Sequence, residues 1–95
     1  MSDRVSMIRE RLEATFAPAL LQIEDQSAAH AGHEGARNGG HFSTHIVSDA
    51  FTGKTVIQRH RMVYDALGDL LQSEIHALSI KAETTEESNQ EGKLS

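Results

Sequence analysis

Six histidines and no cysteine set the chemistry open to this chain of 95 residues. His30 and His33 stand three apart in the run His30-Ala-Gly-His33-Glu34. Two imidazoles at that spacing in a glycine-rich loop can converge on one metal ion, or they can be ordinary polar residues of a surface loop. They do not by themselves complete a closed structural zinc site, which takes four ligands. His76 lies between a helix and a strand. There an imidazolium complements the negative end of the helix dipole, and a neutral imidazole is well placed to be a ligand on a rigid edge. His60 falls on an apolar helix stripe between Ile57 and Tyr64 and reads as a core or subsurface histidine with a hydrogen bond. His41 and His45 share one face of a strand, and the sequence assigns neither a function.

Other chemistries lack their residues. There is no thiol to serve as nucleophile or metal ligand, no Ser/His/Asp arrangement and no glycine-rich phosphate loop. Asp49 and Asp65 read as a turn residue and a helix-surface partner, not as a general acid and base. Residue types and spacing alone therefore indicate no enzyme.

The formal net charge is −5. Residues 83–95 carry −3 of it, leaving −2 for residues 1–82. Affinity for a phosphate backbone comes mainly from Lys and Arg, so this balance argues against a general nucleic-acid binder. Lys54, Arg59 and Arg61 can still form a small basic patch. The competing reading is a solvated helix face with pairs such as Arg61 and Asp65.

These side chains need a scaffold, and the hydrophobic pattern supplies one. Val5, Ile8, Leu12 and Phe16 recur at helical steps and predict a helix over 3–16, capped by Ser2 and ended by Pro18. Leu20 to Asp25 alternates as a strand. Gln26 to Gly40, with four glycines, is an exposed loop. His41 to Ser48 is a second strand, with Phe42, Thr44 and Ile46 on one face. Thr55 and Gln58 fit a capping box. The helix they open runs to about Gln72, with Val56, Ile57, His60, Val63, Tyr64, Leu67, Leu70 and Leu71 as its stripe and Arg59 opposite.

His76 to Ala82 is the third strand. Residues 87–95, acidic and poor in apolar residues, are expected to be a disordered tail behind a domain spanning 1–86. The order α-β-β-α-β implies an α+β fold: a three-stranded mixed sheet, a right-handed parallel crossover and the helices on one face. No apolar stretch approaches the ~20 residues that cross a bilayer. Met1-Ser2-Asp3-Arg4 opens no signal core. The absence of cysteine suits a reducing compartment. The expectation is a cytoplasmic protein without a membrane partner.

One stretch carries more than pattern. Phe51-Thr-Gly53-Lys-Thr-Val-Ile-Gln-Arg59-His60-Arg61-Met-Val-Tyr64 resembles the signature region of BolA-like proteins. His76-Ala-Leu-Ser-Ile-Lys-Ala82 is similar to their final strand, and Gly40-His41-Phe42 and Ser48 also fit. The resemblance covers roughly residues 5–86 and points to the histidine-loop type. It implies a sandwich similar to the class II KH domain. It also implies two roles. The first is partnership with a monothiol glutaredoxin, the pair holding a [2Fe–2S] cluster together with glutathione. The chain would be a monomer alone and a heterodimer with glutaredoxin. The family's constant ligand falls at His76, and its loop ligand falls on His30, with His33 in reserve. The second role is transcriptional regulation linked to stress and cell shape, with DNA as partner. The lack of cysteine agrees with the first role: this chain offers imidazoles only, so thiolates must come from the partner. A KH-type clamp needs GXXG, and Phe51-Thr-Gly53-Lys54 has one glycine.

Overall fold

A computed structural model describes residues 3–26 and 40–94. Helix α1 (Arg4–Phe16) starts at Asp3, whose carboxylate accepts the Ser6 amide at 2.8 Å. The cap is thus Asp3, one residue after the expected Ser2. Ile8, Leu12 and Phe16 are buried, as their spacing requires. The helix ends at Ala17, which is left-handed at φ 43° and precedes Pro18.

Strands β1 (Leu20–Asp25) and β2 (Gly40–Val47) pair antiparallel, with Leu21 opposite Ile46 and Ile23 opposite Thr44. Strand β3 (Ile75–Glu83) runs parallel to β2, with Phe42 opposite Leu78 and Thr44 opposite Ile80. The sheet order is β1-β2-β3. Period-2 alternation sends Phe42, Thr44 and Ile46 to the face covered by the helices. There they join Ile8, Leu12, Phe16, Val63 and Leu67 in one core. His41, Ser43 and His45 take the other face. This is the expected mixed sheet with helices on one side.

The crossover departs from expectation. Helix α2 (Val56–Leu67) opens with the capping box: Thr55 accepts the Gln58 amide, and Gln58 returns the bond. It stops at Gly68, not at Gln72. Gly68 sits at φ +52°, where a side chain would be strained, and a separate short turn, α3 (Leu70–Ser73), follows. The buried stripe is also rotated. Val56 and Ile57 are 66% and 65% exposed, whereas Arg59, Val63 and Leu67 face inward.

The chain after 86 differs more. The expected disordered tail at 87–95 is met by helix α4 (Thr85–Leu94). Thr84 and Glu87 make a second capping box: the Glu87 amide donates to Thr84 Oγ1 at 3.2 Å, and the Thr84 amide donates to Glu87 Oε1 at 2.9 Å. Glu87 has a further anchor in Arg59.

Candidate functional site

His76 is exposed at the start of β3. Its position comes from a bulge. Gly40 pairs with Ile75, but the next residue, His41, pairs with Ala77, so β3 carries one extra residue there. A bulge re-aims a side chain. Ile75 stays buried while His76 turns to the open face, beside half-buried His41. The two ring centroids are 5.0 Å apart. The sequence did not pair these histidines, because the shared face depends on a register set by the sheet.

The loop bearing His30 and His33 lies outside the described residues, but its two ends do not. The Gln26 amide donates to the His41 carbonyl at 2.7 Å, and the Gly40 amide donates to the Glu74 carbonyl at 3.0 Å. Both ends of the loop therefore abut the His76 bulge. The donor set fits an iron that takes imidazole from this chain: His76 is presented to solvent on a paired strand, and competing thiolates are absent from the whole sequence.

The other histidines have different surroundings. His45 Nε2 lies 2.5 Å from Glu83 Oε1, a carboxylate that is itself buried. His60 is half-buried and lines a shallow hollow of about 200 Å³ between α2 and β3, together with Val56, Ile80 and Ala82. Of the core and subsurface positions its stripe suggested, it takes the subsurface one.

The basic patch does not assemble as drawn. Arg59, expected on the solvent face, is 9% exposed. Its Nε donates to the Lys54 carbonyl at 2.9 Å and its Nη1 to the Ala82 carbonyl at 3.0 Å. Nη1 and Nη2 also donate to the Glu87 carboxylate at 2.6 and 3.0 Å. That geometry is a two-pronged charge-assisted pair. The Arg59 hydrogen bonds, followed by the Thr84 amide, hold the Glu87 carboxyl down to about 2, and the same pair raises Arg59 above its usual value. Lys54 and Arg61 are exposed. Arg59 is a structural tie between α2, β3 and α4, and the guanidinium is not offered to a ligand.

Comparison with known proteins follows the same outline. The family model described as BolA-like protein matches residues 12–87. The chain is 46% identical over 93 residues to SufE-like protein 1, chloroplastic/mitochondrial, of Arabidopsis thaliana, covering 92% of this chain and 25% of that protein. It is 40% identical over 85 residues to the DNA-binding transcriptional regulator BolA of Escherichia coli, covering 85% of this chain and 79% of the relative. Among solved structures, the BolA domain of SufE1 from Arabidopsis thaliana superposes with a TM-score of 0.80 at 49% identity, over 92% of this chain and 98% of that one. BolA1 from the same plant gives 0.81 at 40% identity, over 92% and 97%. The chain thus spans a quarter of one relative's length and nearly the whole of the matching domain structures.

Proposed function

Because the chain belongs to the BolA family, we propose that it is the partner of a monothiol glutaredoxin and helps to coordinate a [2Fe–2S] cluster bridging the two proteins. The role is one of iron–sulfur trafficking or iron homeostasis, in the cytoplasm. The observation that carries this reading is His76: an exposed imidazole on a bulged but paired strand, with both ends of the histidine loop beside it. His76 would bind one iron. His30, or His33 in its place, would supply a second imidazole to that iron. Two imidazoles on one iron and thiolates on the other is an established arrangement for such clusters. A glutaredoxin cysteine and glutathione would supply the thiolates. The chain's own work is to present imidazole from the head of β3 and leave the thiolate side to its partner.

The test is the visible spectrum of this protein purified together with a monothiol glutaredoxin. A heterocomplex spectrum distinct from that of glutaredoxin alone is expected, and His76→Ala should remove the difference. If the wild-type mixture shows only the glutaredoxin spectrum, the reading fails.

A second reading, DNA binding, is favoured by the name of the Escherichia coli relative. Its electrostatic basis here is thin. With Arg59 engaged, Lys54 and Arg61 remain, and two phosphate contacts give a log–log salt slope of only about −1.8. Sequence-selective nanomolar binding by the protein alone near 150 mM salt, a condition at which weak contacts fail, would put this reading first.

A further inference from the structure

The geometry points to a second metal function for the open face of the sheet: His41 and His76 together chelate one divalent transition-metal ion in the free chain. The site needs no second protein, so it stands or falls independently of the glutaredoxin reading.

The argument begins with ring spacing. An imidazole nitrogen binds such an ion at about 2.0–2.1 Å, and the ring centre lies roughly 1.1 Å further on, so each centroid sits about 3.2 Å from the metal. Two rings on one ion are then about 4.5 Å apart, centre to centre, at a right-angled ligand geometry and about 5.2 Å apart at a tetrahedral one. The observed separation is 5.0 Å, with the ring planes 48° apart. Rotation about each metal–nitrogen axis leaves the interplanar angle free, and the centroid distance, which ordinary ring pairs also adopt, falls within the chelating range.

The backbone holds this spacing. His41 pairs with Ala77 across to β3, its carbonyl accepts the Gln26 amide at 2.7 Å, and its neighbour Phe42 pairs with Asp25 of β1. His76 occupies the extra position of the bulge, which turns it toward His41 rather than into the core. No third histidine, aspartate or glutamate among the described residues completes a group with them. Among the described residues the site therefore presents two protein ligands, His41 and His76. Such a site suits a borderline ion held reversibly, with copper(II) bound more tightly than nickel(II) or zinc. Because His76 is also the proposed cluster ligand, an ion held here and the bridging cluster exclude one another, which makes metal occupancy of the free chain a brake on cluster assembly.

The test uses nickel(II) titrated into the full chain without an affinity tag, monitored by paramagnetic broadening of histidine ring signals. The loop histidines are removed first with the double variant His30→Ala/His33→Ala, so that only strand histidines report. One saturable ion is expected, with broadening centred on His41 and His76. Adding either His41→Ala or His76→Ala should weaken binding at least about tenfold, since losing a direct ligand does no less than losing an outer-shell partner. Adding His45→Ala should change it less than about twofold. Signal dispersion in the metal-free spectra confirms that each variant is folded. Absence of saturable binding in the loop variant, or binding that survives His41→Ala in a folded chain, overturns the proposal.

Discussion

Replacing Arg59 with glutamine separates a structural arginine from a ligand-binding one. Arg59 is 9% exposed and makes four hydrogen bonds, two to carbonyls of Lys54 and Ala82 and two to Glu87. Glutamine can reach at most one of these partners. Glu87 retains 44% side-chain exposure and rehydrates when released, so it is not a stranded charge. The groups left behind are the two carbonyls. Hydrogen bonds from a charged donor contribute about 1.5–3 kcal/mol each and are not additive, so Arg59→Gln should destabilise by roughly 2–3 kcal/mol. For a domain of this size that is a fall in Tm of roughly 10–20 °C. Arg61→Gln, on the exposed side of the same helix, should stay within about 0.5 kcal/mol of wild type. Thermal and urea denaturation of the two variants, side by side, make the measurement. If Arg59→Gln melts within 2 °C of wild type, by the same scaling of about 4–8 °C per kcal/mol, the guanidinium does not hold α4 to the sheet and the basic-patch reading regains its third charge.

Three further outcomes follow from the same contacts. Thr44 is 2% exposed and its Oγ1 has no hydrogen-bond partner among the described residues, so Thr44→Val should raise stability by about 1 kcal/mol in urea unfolding; a loss of stability would mean that the hydroxyl is bonded. Glu87 titrates at about 2 in the folded chain against a usual 4.5, so the stability it contributes is complete above about pH 4.5 and is lost as pH falls toward 2. The gap in urea midpoint between wild type and Glu87→Gln should therefore be widest near neutrality and close across that acid window; a gap that does not vary with pH would deny the linkage. Truncation after Glu86 should lower the Tm, whereas truncation after Gln90, which keeps the Thr84–Glu87 capping box, should lower it less; equal melting of both would show that the carboxylate is dispensable.

The parts of this fold that were legible in the sequence are those in which local period and burial agree. Ile8, Leu12 and Phe16 define α1 from spacing alone, and Phe42, Thr44 and Ile46 define the buried face of β2. Helix α2 was found, but its inward face was not. Val56 and Ile57 are apolar and exposed, while a cation, Arg59, takes the inward position because two carbonyls and a carboxylate surround its head. Binary pattern has no means of registering such a partner. Helix α4 was missed for a different reason. The signature Thr84-x-x-Glu87 is present in the sequence, but a reading from acidic composition alone passes over it, and the Arg59 contact that stabilises it spans 28 residues. The place of His76 at the head of the third strand was legible. Its approach to His41 was not, because that approach depends on a one-residue offset between strands that only the assembled sheet defines.

That offset also decides how a load applied at His76 is carried. Below the bulge, β3 is locked to β2 in continuous register from Ala77 to Glu83, and a displacement there would drag Ile80 and Ala82 through the core. At the bulge the chain has one residue of slack. A pull on the imidazole therefore falls first on the bulge and only then on the paired strand. A displacement of the histidine is taken up at the bulge before it reaches the core or the Arg59 tie at the far end of the strand.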